Sequence, residues 1–424
     1  MKKHVVFIIG AYGTYVSPGA NIVTKVRDVL QKNPDLEITT IAHKTHFSDC
    51  ADIEENLILV QDTWTCIHNM CQEKLATAKG LKKVWYKGVL LFKKAVHYSG
   101  MLFRLYSYSP KLKQKTFRVL KQLDKEKKID VVIPCGEPHD AIFAGLAFKK
   151  KHPSVTFLPY QLDRYANGNS LYKFPKLQKG LTKRNLKKEE EVLMYAKKLY
   201  VLKPIYPHYQ DKRFAMYQDK IVSTEHPLLV QHPCVNAVGK DDMRITVMYA
   251  GSLDKTLRNP KCWLETLQCI QQKNELPILH KMFSFGNCQD ILSQYEKGLE
   301  SCFINAGKIS YDQVIKEYQS TDFILTIGNN SKEEVPSKIF DCMSYGKPMI
   351  HLYYCEEDPS IPYLQRYPYA LCLPLQESQI QANADDFIHF CKDYYGKVLA
   401  FSDVVEVFQD CTPEYIAEKF EEQI

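Results

Sequence analysis

Two rhythms of apolar residues alternate along the chain. Short unbroken runs such as His4–Ile9 carry too little polar alternation for an exposed sheet and suit parallel strands covered on both faces. This run leads into a Gly-rich loop and an amphipathic helical pattern in "GAYGTYVSPGANIVTKVRDVL". "PDLEITTIAHK" and "NLILVQDT" read as the next strands, "KIDVVIPCGEPHDAIFAGLAFKKKHP" repeats strand, loop and helix, and "SVTFLPYQLD" adds one further strand. The turn-rich "KIVSTEHPLLVQHP" closes this first series near residue 235. A second series runs from "MRITVMYAGSLDKTLRNPKCWLETLQCI" to "KPMIHLYY". The expected fold class is α/β: two Rossmann-like domains, 1–235 and 236–405, then a helix within 406–424 with Thr412 near its N-cap. Ligands of such sheets sit at the carboxyl ends of the strands, so a site is expected in a cleft where the two domains face each other.

One segment breaks the rhythm. Residues 81–120 hold ten Lys or Arg and no acid, with aromatic and aliphatic residues interleaved. Two readings stay open: solvated helices whose apolar side meets the domain core, or a helical surface that lies on an anionic membrane leaflet. Nucleic acid is not expected as a partner, because no helix-turn-helix, zinc or RNA-binding signature accompanies the charge.

Composition narrows little further. The 424 residues are 45% hydrophobic and 25% charged, with a net charge of +7, the balance of an ordinary globular protein. The 14 cysteines are scattered through apolar runs and lack metal-site spacing, which favours free thiols in a reducing cytoplasm. "MKKHVVFIIGAYG" opens like a signal peptide, but its short apolar run and prompt glycines read as a first strand. No apolar run reaches the length of a membrane span.

Three stretches carry candidate chemistry. Gly10, Gly13 and Gly19 form a loop that lets backbone approach a ligand or simply makes a tight turn. In "YAGSLDKTLRNP", Gly251 and Ser252 end a strand, and Lys255 and Arg258 share a face if helical, making an anion site or an exposed basic pair. In "SKEEVPSKIFDCMSYGKPMI", a helix is expected from Pro336 to Gly346. Its first turn would offer Ser337 and Lys338 to phosphate, and Asp341 would accept from sugar hydroxyls, with Glu333 in the loop before. Both acids also read as plain helix-start and surface acids. In the first series, Asp163 and the pair His139–Asp140 follow strands and are candidates to orient an acceptor, or are loop residues satisfied by neighbours.

These stretches resemble the retaining GT-B glycosyltransferases of the family 4 type, which build bacterial surface polysaccharides such as capsule and exopolysaccharide. The resemblance lies in two acids separated by seven residues before a Gly-Lys-Pro strand entry, here Glu333 and Asp341, where the second family acid is usually glutamate. It implies that Glu333 contacts the donor sugar, Asp341 the nucleotide ribose, and Lys255 and Arg258 the diphosphate leaving group. It also implies a UDP-sugar donor, a glycan or polyprenyl-linked acceptor, no metal or other cofactor, and a final helix crossing back to the first domain. The expected location is the cytoplasm, peripheral to the inner face of the cell membrane. A UDP-sugar 2-epimerase of the same architecture and a non-catalytic sugar-nucleotide-binding protein are the rival readings.

Overall fold

The computed structural model describes residues 2–11, 18–43, 56–61, 63–104, 108–136, 139–166, 175–232, 244–330, 332 and 335–424. It divides into two compact units, Met1–Pro227 with Pro413–Ile424, and Leu228–Thr412. The first boundary falls before the apolar pair Leu228–Leu229 rather than at 235. Both leucines are buried, and Leu229 N–H donates to Cys411 O at 3.1 Å within the second unit.

Unit 1 contains β1 (Lys3–Ala11), α1 (Pro18–Leu30), β2 (Leu36–His43), β3 (Leu57–Val60), α2 (Thr63–Thr77), α3 (Gly80–Arg104), α4 (Pro110–Glu126), β4 (Val131–Gly136), α5 (Asp140–Lys151), β5 (Thr156–Phe157), β6 (Tyr160–Gln161), α6 (Pro175–Tyr195), β7 (Leu199–Leu202), α7 (Tyr206–Tyr209) and β8 (Ile221–Thr224). Its sheet is parallel, in the order β3-β2-β1-β4-β6-β7-β8, with β5 also on β4. Every residue from His4 to Gly10 is buried, as a strand covered on both faces requires. The strand expected over "SVTFLPYQLD" is two short ones. Pro159 sits between them and has no N–H to give the ladder.

Segment 81–120 divides in two. Helix α4 is capped by Ser109, whose hydroxyl accepts from Leu112 N–H at 3.3 Å, and it buries Leu112, Thr116 and Leu120. Helix α3 instead leaves Leu81, Val84, Trp85, Leu91 and Phe92 at least 60% exposed.

Unit 2 contains β9 (Ile245–Leu253), α8 (Lys261–Lys273), β10 (Ile278–Gly286), α9 (Gln289–Glu296), β11 (Phe303–Asn305), α10 (Tyr311–Ser320), β12 (Phe323–Ile327), α11 (Lys338–Met343), β13 (Met349–Tyr353), α12 (Ile361–Leu364), β14 (Ala370–Pro374), α13 (Ile380–Tyr394) and α14 (Phe401–Phe408). Its six strands are parallel in the order β11-β10-β9-β12-β13-β14, the doubly wound Rossmann order. Trp263 of α8 and Phe387 of α13 pack 5.5 Å apart in its core. Buried His280 on β10 is held there by Trp263 Nε1, which donates to its Nε2 at 3.3 Å, and by Val247 O, 3.1 Å from its Nδ1.

The tail helix lies within 406–424, with Thr412 just before it. Helix α14 ends at Phe408, a short turn follows, and Thr412 is extended, the conformation favoured before proline; α15 (Pro413–Glu421) then starts on unit 1. The Phe420 ring stacks 3.9 Å from Tyr200, and Tyr200 Oη donates to Lys419 O at 2.5 Å. Lys3 and Lys197 both donate to the last carbonyls, at Ile424 and Gln423. Phe420→Ala should therefore lower the stability of unit 1 by about 3–5 kcal/mol in urea unfolding; a loss below about 1 kcal/mol would mean α15 is a loose appendage.

Candidate functional site

In unit 2 the chain leaves β9 in one direction and β12 in the other, so their carboxyl ends open a crevice where ligands of such sheets bind. Tyr249 lies along the end of β9, its hydroxyl donating to Ser252 O at 2.9 Å. A Cβ on Gly251 would fall 2.8 Å from that hydroxyl, so any larger residue there would have to displace the Tyr249 ring end. The chain then turns tightly: Asp254 and Arg258 exchange backbone hydrogen bonds at 3.2 and 2.8 Å. The Asp254 carboxylate accepts from Thr256 Oγ1 at 2.6 Å, from the N–H groups of Thr256 and Leu257 at 2.8 and 3.0 Å, and from Asn287 Nδ2 at 2.9 Å. Those bonds, led by the Thr256 hydroxyl, hold its pKa down at about 2.

Residues 254–258 are therefore not helical, and Lys255 and Arg258 diverge. Lys255 pairs with Asp290 at 2.5 Å on the surface, where its charge is matched. Arg258 turns inward instead. Its Nε donates to Asn329 Oδ1 at 2.7 Å, just beyond β12, and its Nη1 to Ser252 Oγ at 3.2 Å. It thus spans the β9–β12 seam on neutral oxygens.

A second cation reaches the same seam from the other side. Helix α11 is shorter than expected, six residues starting at Lys338, with Ser337 at its N-cap position making no side-chain cap bond. Lys338 does not point along the helix axis but donates to Ala250 O on β9, its ammonium 5.4 Å from the Tyr318 ring. Burial holds its pKa below the usual lysine range; the nearby Asp341 charge opposes that shift, and the Arg258 charge adds to it.

Asp341, one turn on, lies 3.3 Å from His232 Nε2, both side chains mostly covered. The His232 ring stacks on Tyr345 at 4.2 Å and 5°. Burial, and next the charge of Asp341, push the Tyr345 phenol up. A flat aromatic pair thus stands beside a carboxylate, next to the two cations. Gly346 follows with φ of 67°, and a Cβ there would meet Leu399 O at 2.1 Å.

Beneath the seam is a fully buried pair, His351 and Asp358, 3.3 Å apart. Asp358 also accepts from Ser360 N–H at 2.8 Å, and a Cβ on Gly328 would fall 2.0 Å from its Oδ2. The pair supports the β12 end that presents Asn329 to Arg258.

In unit 1, the expected acceptor contacts are largely internal. His139 is 8% and Asp140 4% exposed. Gln161 Nε2 lies 2.6 Å from His139 Nε2 and donates to Asp163 O at 2.6 Å. Asp140 accepts from Ser109 N–H and so joins the starts of α4 and α5. Asp163 is exposed. Glu333 and Gly13 lie outside the described residues. The sequence reading passed over Asn329, His232, Tyr345 and Asp254; the "IGNN" after a buried strand was the available signal for the first of them. Among the described residues no group of three or more His, Cys, Asp or Glu could hold a metal ion.

Three buried histidines titrate far below their usual range: burial lowers His139, His226 and His280 from 6.5 to about 4. Each is neutral when folded and protonates on unfolding, so unfolding takes up protons below 6.5 and stability falls as the pH drops from 6.5 toward 4. The urea midpoint should fall already in the upper half of that window, above the range where carboxylates protonate. A flat midpoint there would contradict neutral buried imidazoles.

No protein-family model matches the chain, and no curated protein sequence matches it. Solved structures do. A glycosyltransferase from Rickettsia africae ESF-5 is 12% identical with a TM-score of 0.57, covering 99% of this chain and 97% of its own. The UDP-GlcNAc 2-epimerase of Methanocaldococcus jannaschii is 11% identical at 0.57, covering 99% of both chains. The UDP-GlcNAc 2-epimerase of Neisseria meningitidis, bound to UDP-GlcNAc, is 11% identical at 0.54, again covering 99% of both. The chain has the GT-B-like fold of two Rossmann-like units that transferases and epimerases share, and no single family stands out among them.

Proposed function

We propose that the protein is an enzyme of nucleotide-diphosphate sugars that breaks the bond between the anomeric carbon and the diphosphate of a UDP-sugar. The observation that carries this reading is the pair Arg258 and Lys338, two cations that meet the β9–β12 seam on neutral oxygens of Asn329, Ser252 and Ala250. An anion between them would relieve their mutual repulsion and gain charge-assisted hydrogen bonds. As the anomeric C–O bond breaks, its electron pair leaves with the diphosphate, and fixed donors favour that developing charge over the ground state. Asp341 is proposed for the ribose, with His232 and Tyr345 as a flat face for the base, and Glu333 for hydroxyls of the sugar.

Two fates of the sugar share this step. The first is 2-epimerisation: a proton leaves C2 as UDP departs from C1, and UDP adds back after a proton is delivered to the opposite face. It is supported by the several similar structures described as UDP-GlcNAc 2-epimerases. The second is retaining transfer to a glycan or lipid-linked hydroxyl, with Asp163 near the acceptor. The exposed apolar residues of α3 favour it, since they suit a bulky or membrane-held acceptor.

Incubation with UDP-GlcNAc in heavy water, followed by proton NMR, separates the fates. Epimerisation places deuterium at C2 without consuming UDP-sugar; transfer releases UDP only when an acceptor is supplied. Absence of turnover across a panel of UDP-sugars, with and without lipid-linked acceptors, would overturn the proposal. Arg258→Gln should lower kcat/KM about a hundredfold. The urea midpoint should stay near that of the unmodified protein, because the partners left behind are neutral. Equal activity in the variant would remove Arg258 from the chemistry.

A further inference from the structure

Helix α3 presents an apolar stripe to solvent. Leu81, Val84, Trp85, Leu91 and Phe92 are 89%, 67%, 60%, 67% and 64% exposed. At 100° per residue they fall on one side, with Gly88 between them. Tyr86, Leu90 and Lys93 lie on the other side and are half-buried, with α2 as the neighbouring helix. The amphipathic pattern is therefore inverted for a helix of a globular core: the more apolar face is the uncovered one. Lys82 flanks the stripe on one edge, and Lys87 and Lys94 on the other, all exposed. Gly80–Arg104 contains six Lys or Arg and no Asp or Glu. A groove between α2 and α3, lined by His68, Gln72, Leu90 and Leu91 with Lys87, Lys93 and Lys94, adjoins the Lys87–Lys94 edge.

We infer that α3 is a docking surface for an anionic phospholipid bilayer, lying flat in the interface with Trp85 and Phe92 inserted among the acyl chains and the lysines on the headgroup phosphates. Charge complementarity selects this occupant. A second copy of the chain would bring the same cations against these and be repelled, whereas a leaflet of anionic lipid matches them along both edges. The stripe from Leu81 to Phe92 is about 17 Å long at the helical rise, suited to partial insertion parallel to the surface. Crossing is not involved: among the described residues no helix is long and apolar enough to span a membrane. The remaining half of the basic segment, α4, contributes charge but no insertion, since Leu112 and Leu120 are buried.

Co-sedimentation of the full chain with vesicles of phosphatidylcholine and phosphatidylserine tests this, with pure phosphatidylcholine vesicles as the reference. Binding should require phosphatidylserine and weaken with salt. The substitutions Lys82→Gln, Lys87→Gln and Lys94→Gln should each lower the partition about fivefold, and together about a hundredfold. Val84→Ser, Trp85→Ser and Phe92→Ser combined should abolish the binding that survives high salt. Trp85 emission should shift to the blue on vesicles, and Trp85→Phe should remove that shift while keeping the binding. All of these residues are exposed, so the urea midpoint serves as the control for folding. No preference for phosphatidylserine, or wild-type partition by the triple serine variant, would overturn the inference. So would a dimer in sedimentation velocity that the serine substitutions dissociate.

Discussion

A parallel strand covered on both faces has no place for charge until it ends. In both units this constraint leaves only hydrogen-bonded polar residues such as His280 and His351 inside the strands and collects most charged groups in the loops at their carboxyl ends. Strand β9 illustrates it: Ile245 to Ala250 are buried without a break, and the first polar groups after them, Ser252, Asp254, Lys255 and Arg258, come within a few residues. Because β9 and β12 are neighbours whose connections part in opposite directions, the groups at their ends face an open crevice rather than a covering helix. Arg258 and Lys338 both use that crevice and both donate to neutral oxygens, with Asp341 the nearby carboxylate.

Much of this was legible in the sequence. Unbroken apolar runs ending in Gly, Ser or Asn identified the strands, their direction and the two series. What remained hidden depended on geometry that local pattern does not carry. Lys255 and Arg258 look equivalent three residues apart, and only the Asp254 turn sends one to Asp290 and the other to Asn329. Lys338 looks like a residue of a helix-start phosphate site, yet the helix is only six residues long, and it is the long side chain, crossing to Ala250, that brings the cation to the seam. His139 and Asp140 follow a strand as site residues do, but their neighbours Gln161 and Ser109 take them into the unit.

The basic segment teaches the same lesson in reverse. Its composition left open a core-facing or a lipid-facing helix, and the structure shows that its two halves differ. Helix α4 follows the ordinary rule and buries its apolar side, while α3 keeps its own outward. Hydrophobic periodicity reports that a face exists, and only the neighbours decide what covers it.

The central claim is that unit 2 recognises a nucleoside diphosphate through the charge at the β9–β12 seam. Calorimetric titration of the intact protein with UDP and with uridine, before and after Arg258→Gln, tests it most directly. The account predicts that UDP binds at least a hundredfold more tightly than uridine, and that Arg258→Gln removes most of that difference, since a charge-assisted bidentate contact is worth roughly 1.5–3 kcal/mol. Equal binding of UDP and uridine, or a preference for UDP that survives the substitution, would contradict it.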